Sequence, residues 1–319
     1  MDTNRVVEIS QKVRENISKV MVGRNDTIDL LLTALLAKGH VLLDDVPGIG
    51  KKMMAKCLAK SISIELKRVQ FTPDLLPSDL TGLNVYSQKT STFNFKEGPI
   101  FTNILLAAEI NRATPRTQSS LLECMEERQV TVDGVTRKLD SFFLVIATQN
   151  PLETQGIFPL PEAQNDRFFC RLKNGHPTKG DGFTILTNNE SKDPFDDLTP
   201  VTTKAEIEAI SQETNQVLVS QEIQEYMMNI VEETRNHEQI IGGISPRASI
   251  ALLKGIQAYA AIKGRTYAIP EDVKYLSQFC LPHRLTLRGT GAYSKSEAQN
   301  RIIGDILENV PMPSGQAVG

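Results

Sequence analysis

The chain has 319 residues, 40% hydrophobic and 23% charged, with a formal net charge of −3. That length predicts two domains, and the composition is that of a globular protein with apolar material enough for both. The charge gives no electrostatic case for nucleic acid or an anionic membrane, and no apolar stretch reaches the roughly 18 residues of a membrane span. The opening MDTNRVVEIS lacks the apolar core of a signal peptide, so a reducing cytoplasm is the default expectation.

Taken in chain order, VLLDD from Val41 to Asp45 reads as a buried strand, and His40 before it as a packed or capped histidine rather than a ligand. Lys51 to Ser61 reads as a helix with Met53, Met54, Cys57 and Leu58 on its apolar side, and IELKRVQF from Ile64 to Phe71 alternates like a strand. From Phe71 to Phe95 the chain turns polar, with short alternating pieces, LNVYS and STFNF, that read as an insertion. NILLAAEI, Asn103 to Ile110, and FFLVIATQ, Phe142 to Gln149, are continuous apolar runs of the kind central parallel strands need when both faces are covered. Between them lies a helical stretch from Gln118 to Arg128, then two alternating runs around Asp133-Gly134, a strong hairpin signal. Strands alternating with helices predict a doubly wound α/β layer over residues 1–178.

A polar linker is expected over 179–201, followed by a purely helical region over 202–310. Ile207, Ile210 and Val217, then Ile223, Tyr226, Met227 and Ile230, then Ile250, Leu252, Leu253, Ile256 and Tyr259 carry its periodicity. Pro270-Glu271-Asp272 opens a further helix, with proline early and acids at the positive dipole end. The tail, 311–319, is expected to be disordered. Cys57, Cys124, Cys170 and Cys280, like the four histidines, show no metal-ligand spacing, and buried thiols are expected.

Three motifs carry chemistry. Asp45-Val46-Pro47-Gly48-Ile49-Gly50-Lys51-Lys52 stands between a strand and a helix, with glycines to curl backbone N–H groups around phosphate and a lysine to reach the outer oxygens. Asp45 takes the place of the first glycine of such a loop, and Lys52 that of the Ser or Thr whose hydroxyl meets Mg²⁺. ILLAAE, Ile104 to Glu109, resembles the buried strand that ends in two acids, one supporting the metal and one polarising water; here Ala108 replaces the first and Glu109 remains. Ala147-Thr148-Gln149-Asn150 puts polar residues at the exit of the next strand, where a terminal phosphate is sensed.

These pieces, with VQFTPDLLPSDLTG (Val69 to Gly82), EGPIFTNILLAAEINRATPRTQSSLLECMEERQVTVDG (Glu97 to Gly134), ATQNPLETQGIFPLPEAQNDRF (Ala147 to Phe168) and GISPRA (Gly243 to Ala248), resemble the MoxR family of AAA+ proteins over about residues 20–285. The resemblance implies a P-loop NTPase core, a parallel sheet sandwiched by helices with helix and β-hairpin insertions, followed by a small all-α lid. It implies ATP or ADP between core and lid, with Mg²⁺, and a homo-oligomeric ring, typically hexameric. It also implies chaperone-like remodelling or maturation of client proteins and a partner with a von Willebrand factor A domain; the charge and the lack of a long apolar stretch predict neither nucleic-acid binding nor membrane insertion.

Carried over by position, Glu109 is the catalytic glutamate and Asn150 the first sensor. Arg167 resembles the arginine finger offered to a neighbour, and Arg247 the second sensor reaching from the lid. Val22, Gly23, Pro47, Gly48, Ile49, Gly50, Lys51, Lys52 and Met53 are the expected nucleotide contacts. No metal ligand is expected, because Lys52 and Ala108 occupy both Mg²⁺ positions; metal binding is expected to be weakened and hydrolysis slow or absent. The alternative is a non-hydrolytic, nucleotide-binding ring or scaffold subunit.

Overall fold

The computed structural model describes residues 3–46, 48–151, 155–173, 175–190, 192–289 and 292–313, of which 162–163 and 292–294 as backbone alone. Pro47, expected in the phosphate loop, and the end of the tail from residue 314 lie outside the described residues.

Two helices, α1 (Thr3–Ser18) and α2 (Asn25–Leu36), precede the first strand, β1 (Val41–Asp44), and helix α3 (Lys51–Ile62). β2 (Leu66–Gln70) and the short α4 (Pro77–Thr81) lead into a hairpin, β3 (Gly82–Ser87) with β4 (Thr92–Glu97). β5 (Ile104–Ala108), α5 (Pro115–Glu127), a second hairpin of β6 (Gln129–Val132) and β7 (Val135–Lys138), then β8 (Leu144–Gln149), α6 (Glu162–Asn165) and β9 (Cys170–Leu172) complete the α/β layer. Both hairpins fall where alternating pieces were read. Asp133 and Gly134 take φ of 51° and 78°, the paired positive angles that a two-residue hairpin turn demands.

The five long-range strands form one parallel sheet in the order β2-β5-β8-β1-β9. Successive side chains on a strand point to opposite faces, and here both faces are covered. Leu43, Leu106 and Ile146 face α1, α2 and α3, while Leu42, Leu105 and Val145 face α5, all buried. That is why these strands read as unbroken apolar runs. β2 is the sheet edge and only partly buried, which explains its alternating sequence.

The polar stretch read as a linker carries a helix, α7 (Lys179–Asn188), that buries none of its side chains and starts at a box in which Thr178 and Asp181 cap each other. Helices α8 (Lys204–Thr214), α9 (Gln221–Asn236), α10 (Pro246–Ile262), α11 (Pro270–Cys280) and α12 (Ala292–Asn309) follow, with a small antiparallel pair, β10 (Ile240–Gly242) and β11 (Thr286–Leu287). Pro270 opens α11 as expected. Of the periodic residues, Ile223, Tyr226, Met227, Ile230, Leu252 and Ile256 are buried, but Ile250 is 57% exposed and Val217 falls in a turn beyond α8.

This helical region is not a free flap. Its apolar faces join α1 and α2 in one continuous core, with α10 lying against both helices. Phe169 pins the join: a side-chain carbon on Gly39 would come within 2.3 Å of it, and one on Gly255 of α10 within 2.5 Å. Only glycine leaves room for that ring at either place.

Candidate nucleotide site

The site begins at the carboxyl ends of the strands, where open α/β sheets bind ligands. The chain leaves the sheet at Asp44, and Gly48, Ile49 and Gly50 lead into α3. Gly48 and Gly50 take φ of 86° and 88°, in the left-handed region that glycine enters without cost, and a side chain on Gly48 would meet only open space. The helix start thus presents its unbonded N–H groups and positive dipole to the cleft, which suits a phosphate. Lys51 opens α3, half-buried, with its ammonium donating to the backbone oxygen of Asp45 and to that of Gln149 at 3.2 Å. Burial pulls its pKa below the ordinary lysine value, against the opposing pull of Asp45, Asp44 and Glu109.

β5 ends at Ala108, and Glu109 follows in the left-handed conformation at φ 58°, uncommon for a residue with a side chain and a mark of constrained sites. Three partners fix it. Its N–H donates to Thr148 Oγ1 at 3.0 Å, its Oε2 accepts from Gln70 Nε2 at 2.9 Å, and the same oxygen pairs with Arg112 Nε at 3.1 Å. Asn150 leaves β8 beside it, buried. Gly48, Gly50, Lys51, Lys52, Met53, Glu109 and Asn150 line one cleft of about 380 Å³. Ile49 stays in the loop. Val22 and Gly23 lie between α1 and α2 next to it: a side chain on Gly50 would come within 2.9 Å of Met21, and one on Gly23 within 2.5 Å of Asp181.

Arg167 and Arg247 are elsewhere. α5 runs back along the sheet, so its last turn reaches the amino ends of the strands, where Met125 O lies 3.1 Å from His40 Nε2. Glu126 there pairs with Arg167 at 3.2 Å and with Arg247 through its other oxygen. Asp166 ties the same corner to the helical region, accepting from Ser245 Oγ at 2.9 Å and from Arg284 Nη1 at 3.2 Å. The resulting cleft, about 310 Å³, is also lined by Lys38, Arg128 and Lys254. A six-residue strand spans about 20 Å, so the full depth of the sheet separates Arg247 from the phosphate loop of its own chain. The packing of α10 against α1 and α2 holds Arg247 at that far end, beside Arg167 and Glu126.

Sequence reading missed Gln70, Arg68, Glu126 and Asp166. Asp166, Glu126 and Gln70 lie inside segments that carry the family resemblance, but nothing local marks Arg68, exposed on an edge strand. His40 is buried as expected, with Val145 N–H donating to its Nδ1 at 3.0 Å. All four cysteines are buried.

The residues of the cleft do not fit Mg²⁺. A phosphate-loop metal takes a hydroxyl from the start of the helix and a carboxylate from the neighbouring strand. Those positions offer the Lys52 ammonium and the Ala108 methyl, and Lys51, Lys56 and Arg68 add further cations to the lining. Of the three carboxylates near Lys51, Asp44 and Asp45 are not among the residues lining the cleft, and Glu109 is engaged by Gln70 and Arg112. Among the described residues no cluster of three His, Cys, Asp or Glu could hold a metal ion, and no helix is long and apolar enough to cross a membrane.

Sequence models for the ATPase family associated with various cellular activities (AAA) and for the AAA lid domain match residues 40–170 and 232–306. An uncharacterized Bacillus subtilis protein, YeaC, is 49% identical over 302 residues, covering 95% of this chain and 94% of its own. Chaperone MoxR1 of Mycobacterium tuberculosis is 35% identical over 311 residues, 95% of this chain and 82% of its own. Protein MoxR of Methylorubrum extorquens is 25% identical over 96% of each chain. A solved structure from Cytophaga hutchinsonii, a protein assigned as an ATPase, superposes with a TM-score of 0.86 at 35% identity over 98% of each chain. With this fold, this loop and these relatives, the chain belongs to the MoxR family of AAA+ ATPases.

Proposed function

We propose that the chain binds ATP or ADP at the β1–α3 loop and works, in the cytoplasm, as a chaperone-like remodelling or maturation subunit of a homo-oligomeric ring. In this reading residues 1–178 form the nucleotide domain, 179–201 the connection and 202–310 the lid. The observation that carries it is the division of the site: Lys51, Glu109 and Asn150 stand at one end of the sheet, Arg167 and Arg247 at the other. One chain cannot bring the two together, but a head-to-tail contact can, laying the arginine corner of one copy over the phosphates of the next. Such a heterologous contact repeats until it closes, which gives a ring, here taken as hexameric. The name of the mycobacterial relative supports protein clients, and the family resemblance a partner with a von Willebrand factor A domain.

In the composite site Glu109, held by Gln70 and Thr148, orients and deprotonates the attacking water. Asn150 touches the terminal phosphate, and the neighbour's Arg167 and Arg247 meet the charge that develops on it. The mismatch at Lys52 and Ala108 leaves hydrolysis slow or absent. It also favours a second reading, a ring or scaffold subunit that holds nucleotide without turning it over. One coupled ATPase assay in Mg²⁺ addresses both. Lys52→Thr with Ala108→Asp is expected to raise turnover by about 10³-fold, the scale of losing one transition-state cation. A parent chain as fast as the double variant would mean that the two substitutions do not impair hydrolysis.

A further inference from the structure

We infer that this cleft takes its nucleotide as the metal-free polyphosphate, with the Lys52 ammonium standing in for the divalent cation. This rests on the nucleotide reading above and deepens it. In an ordinary phosphate loop the hydroxyl is neutral, the carboxylate carries one negative charge and the bound ion two positive, leaving one positive charge beside the outer phosphates. Lysine at 52 and alanine at 108 leave the same one positive charge with no ion at all. The two departures therefore balance each other, where either alone would not.

Reach agrees with charge. A threonine hydroxyl holding Mg²⁺ would put the ion roughly 4–5 Å from the backbone, and an extended lysine carries its nitrogen roughly 6 Å on a flexible stem. Lys52 is exposed on the first turn of α3 and lines the cleft beside Gly48 and Gly50. Ala108, 8% exposed, lines the same cleft at the end of β5. An aspartate there would face the Lys52 ammonium and draw it away from phosphate, so the methyl group keeps that ammonium available. Lys56 and Arg68 extend the cationic wall that a fully charged triphosphate needs once no ion neutralises it.

The test is calorimetric titration of ATP into the full chain, once with chelator and once with excess Mg²⁺. The parent is expected to bind in chelator no more than about three-fold weaker than in Mg²⁺. Lys52→Gln, an exposed change that leaves the core untouched, is expected to weaken binding in chelator by about ten-fold, the loss of one charge-assisted phosphate contact. Lys52→Thr with Ala108→Asp is expected to bind at least about ten-fold better with Mg²⁺ than without. A parent that loses more than three-fold in chelator overturns the inference while the nucleotide reading stands. So does a Lys52→Gln variant that binds in chelator as the parent does. A parent that binds under neither condition overturns the nucleotide reading, and the inference with it.

Discussion

The two ends of the sheet make an uneven pair. At the carboxyl ends the loop geometry, Lys51, the constrained Glu109 and Asn150 are in place, but the residues that would hold a metal are a lysine and an alanine. At the amino ends Arg167 and Arg247 are present and held by Glu126, their corner tied by Asp166 to the helical region. On the proposed reading, binding and neighbour contact can be separated from turnover, and each end can be broken without touching the other.

The largest effect is expected at the loop. Lys51→Ala removes the ammonium that, on the proposed reading, reaches the outer phosphates, and leaves the helix start alone. ATP affinity, measured by titration, should fall about 100-fold, two charge-assisted contacts' worth. The arginine corner and the fold are not involved, so the thermal midpoint should stay within a few degrees. A variant that binds as well as the parent would remove Lys51 from the site.

Next comes the opposite end. Arg167→Ala and Arg247→Ala should leave ATP affinity of the dilute chain unchanged, since both stand a sheet's depth from the loop. Each should shift nucleotide-dependent assembly, read by light scattering or sedimentation, to about ten-fold higher protein concentration. Loss of affinity in the dilute chain instead would mean that the arginines act on their own nucleotide and that the helical region moves.

Acid should strike the frame between the ends. His40 links Met125, next to Glu126, with Val145 of β8, and burial beside Arg128 holds its pKa down to about 3. His283, bonded to Phe168 O at 2.9 Å, is likewise pushed well below the ordinary value. Depressed folded values mean that the unfolded chain takes up protons first. Stability is therefore intact above about pH 6.5 and is lost progressively as pH falls toward 3. His40 alone should cost about 2 kcal/mol by pH 5, seen as a lower denaturant midpoint than at pH 7.5. An equal midpoint at the two pH values would refute the neutral, buried assignment.

Much of this architecture could be read from the sequence where burial leaves no choice. β1, β5 and β8 are covered on both faces and so must be continuous apolar runs, and Asp133-Gly134 suits a turn few other pairs can form. The helical region was legible through Ile223, Tyr226, Met227 and Ile230 for the same reason. α7 was not, because it buries nothing and has no apolar stripe; its signal was the Thr178–Asp181 capping pair. No expectation was drawn for α1, although Val6, Ile9, Val13 and Ile17 are spaced for one helical face and are all buried. The site was legible only as far as its loop and strand ends. Arg247 could be named from its motif but not placed, since its place is set by how α10 packs on α1 and α2 and by the room that Gly39 and Gly255 leave for Phe169.

The smallest expected effect is also the one that bears most directly on how the two ends meet. Glu126 holds both arginines with one carboxylate, and all three side chains are partly exposed. Pairs of that kind are each worth at most about 1 kcal/mol, so they are weak enough for an incoming triphosphate, which carries more charge, to replace. Glu126 would then lie beside a polyanion, where its own charge opposes the contact. Glu126→Gln keeps the length and an acceptor but removes that charge, and α5 ends the same way. Nucleotide-dependent assembly should occur at about three-fold lower protein concentration, with ATP affinity of the dilute chain unchanged. Assembly that becomes harder would give Glu126 the opposite role, aiming the arginines toward the neighbour rather than occupying them, and Glu126→Ala would then be the more damaging change because it removes the acceptor as well.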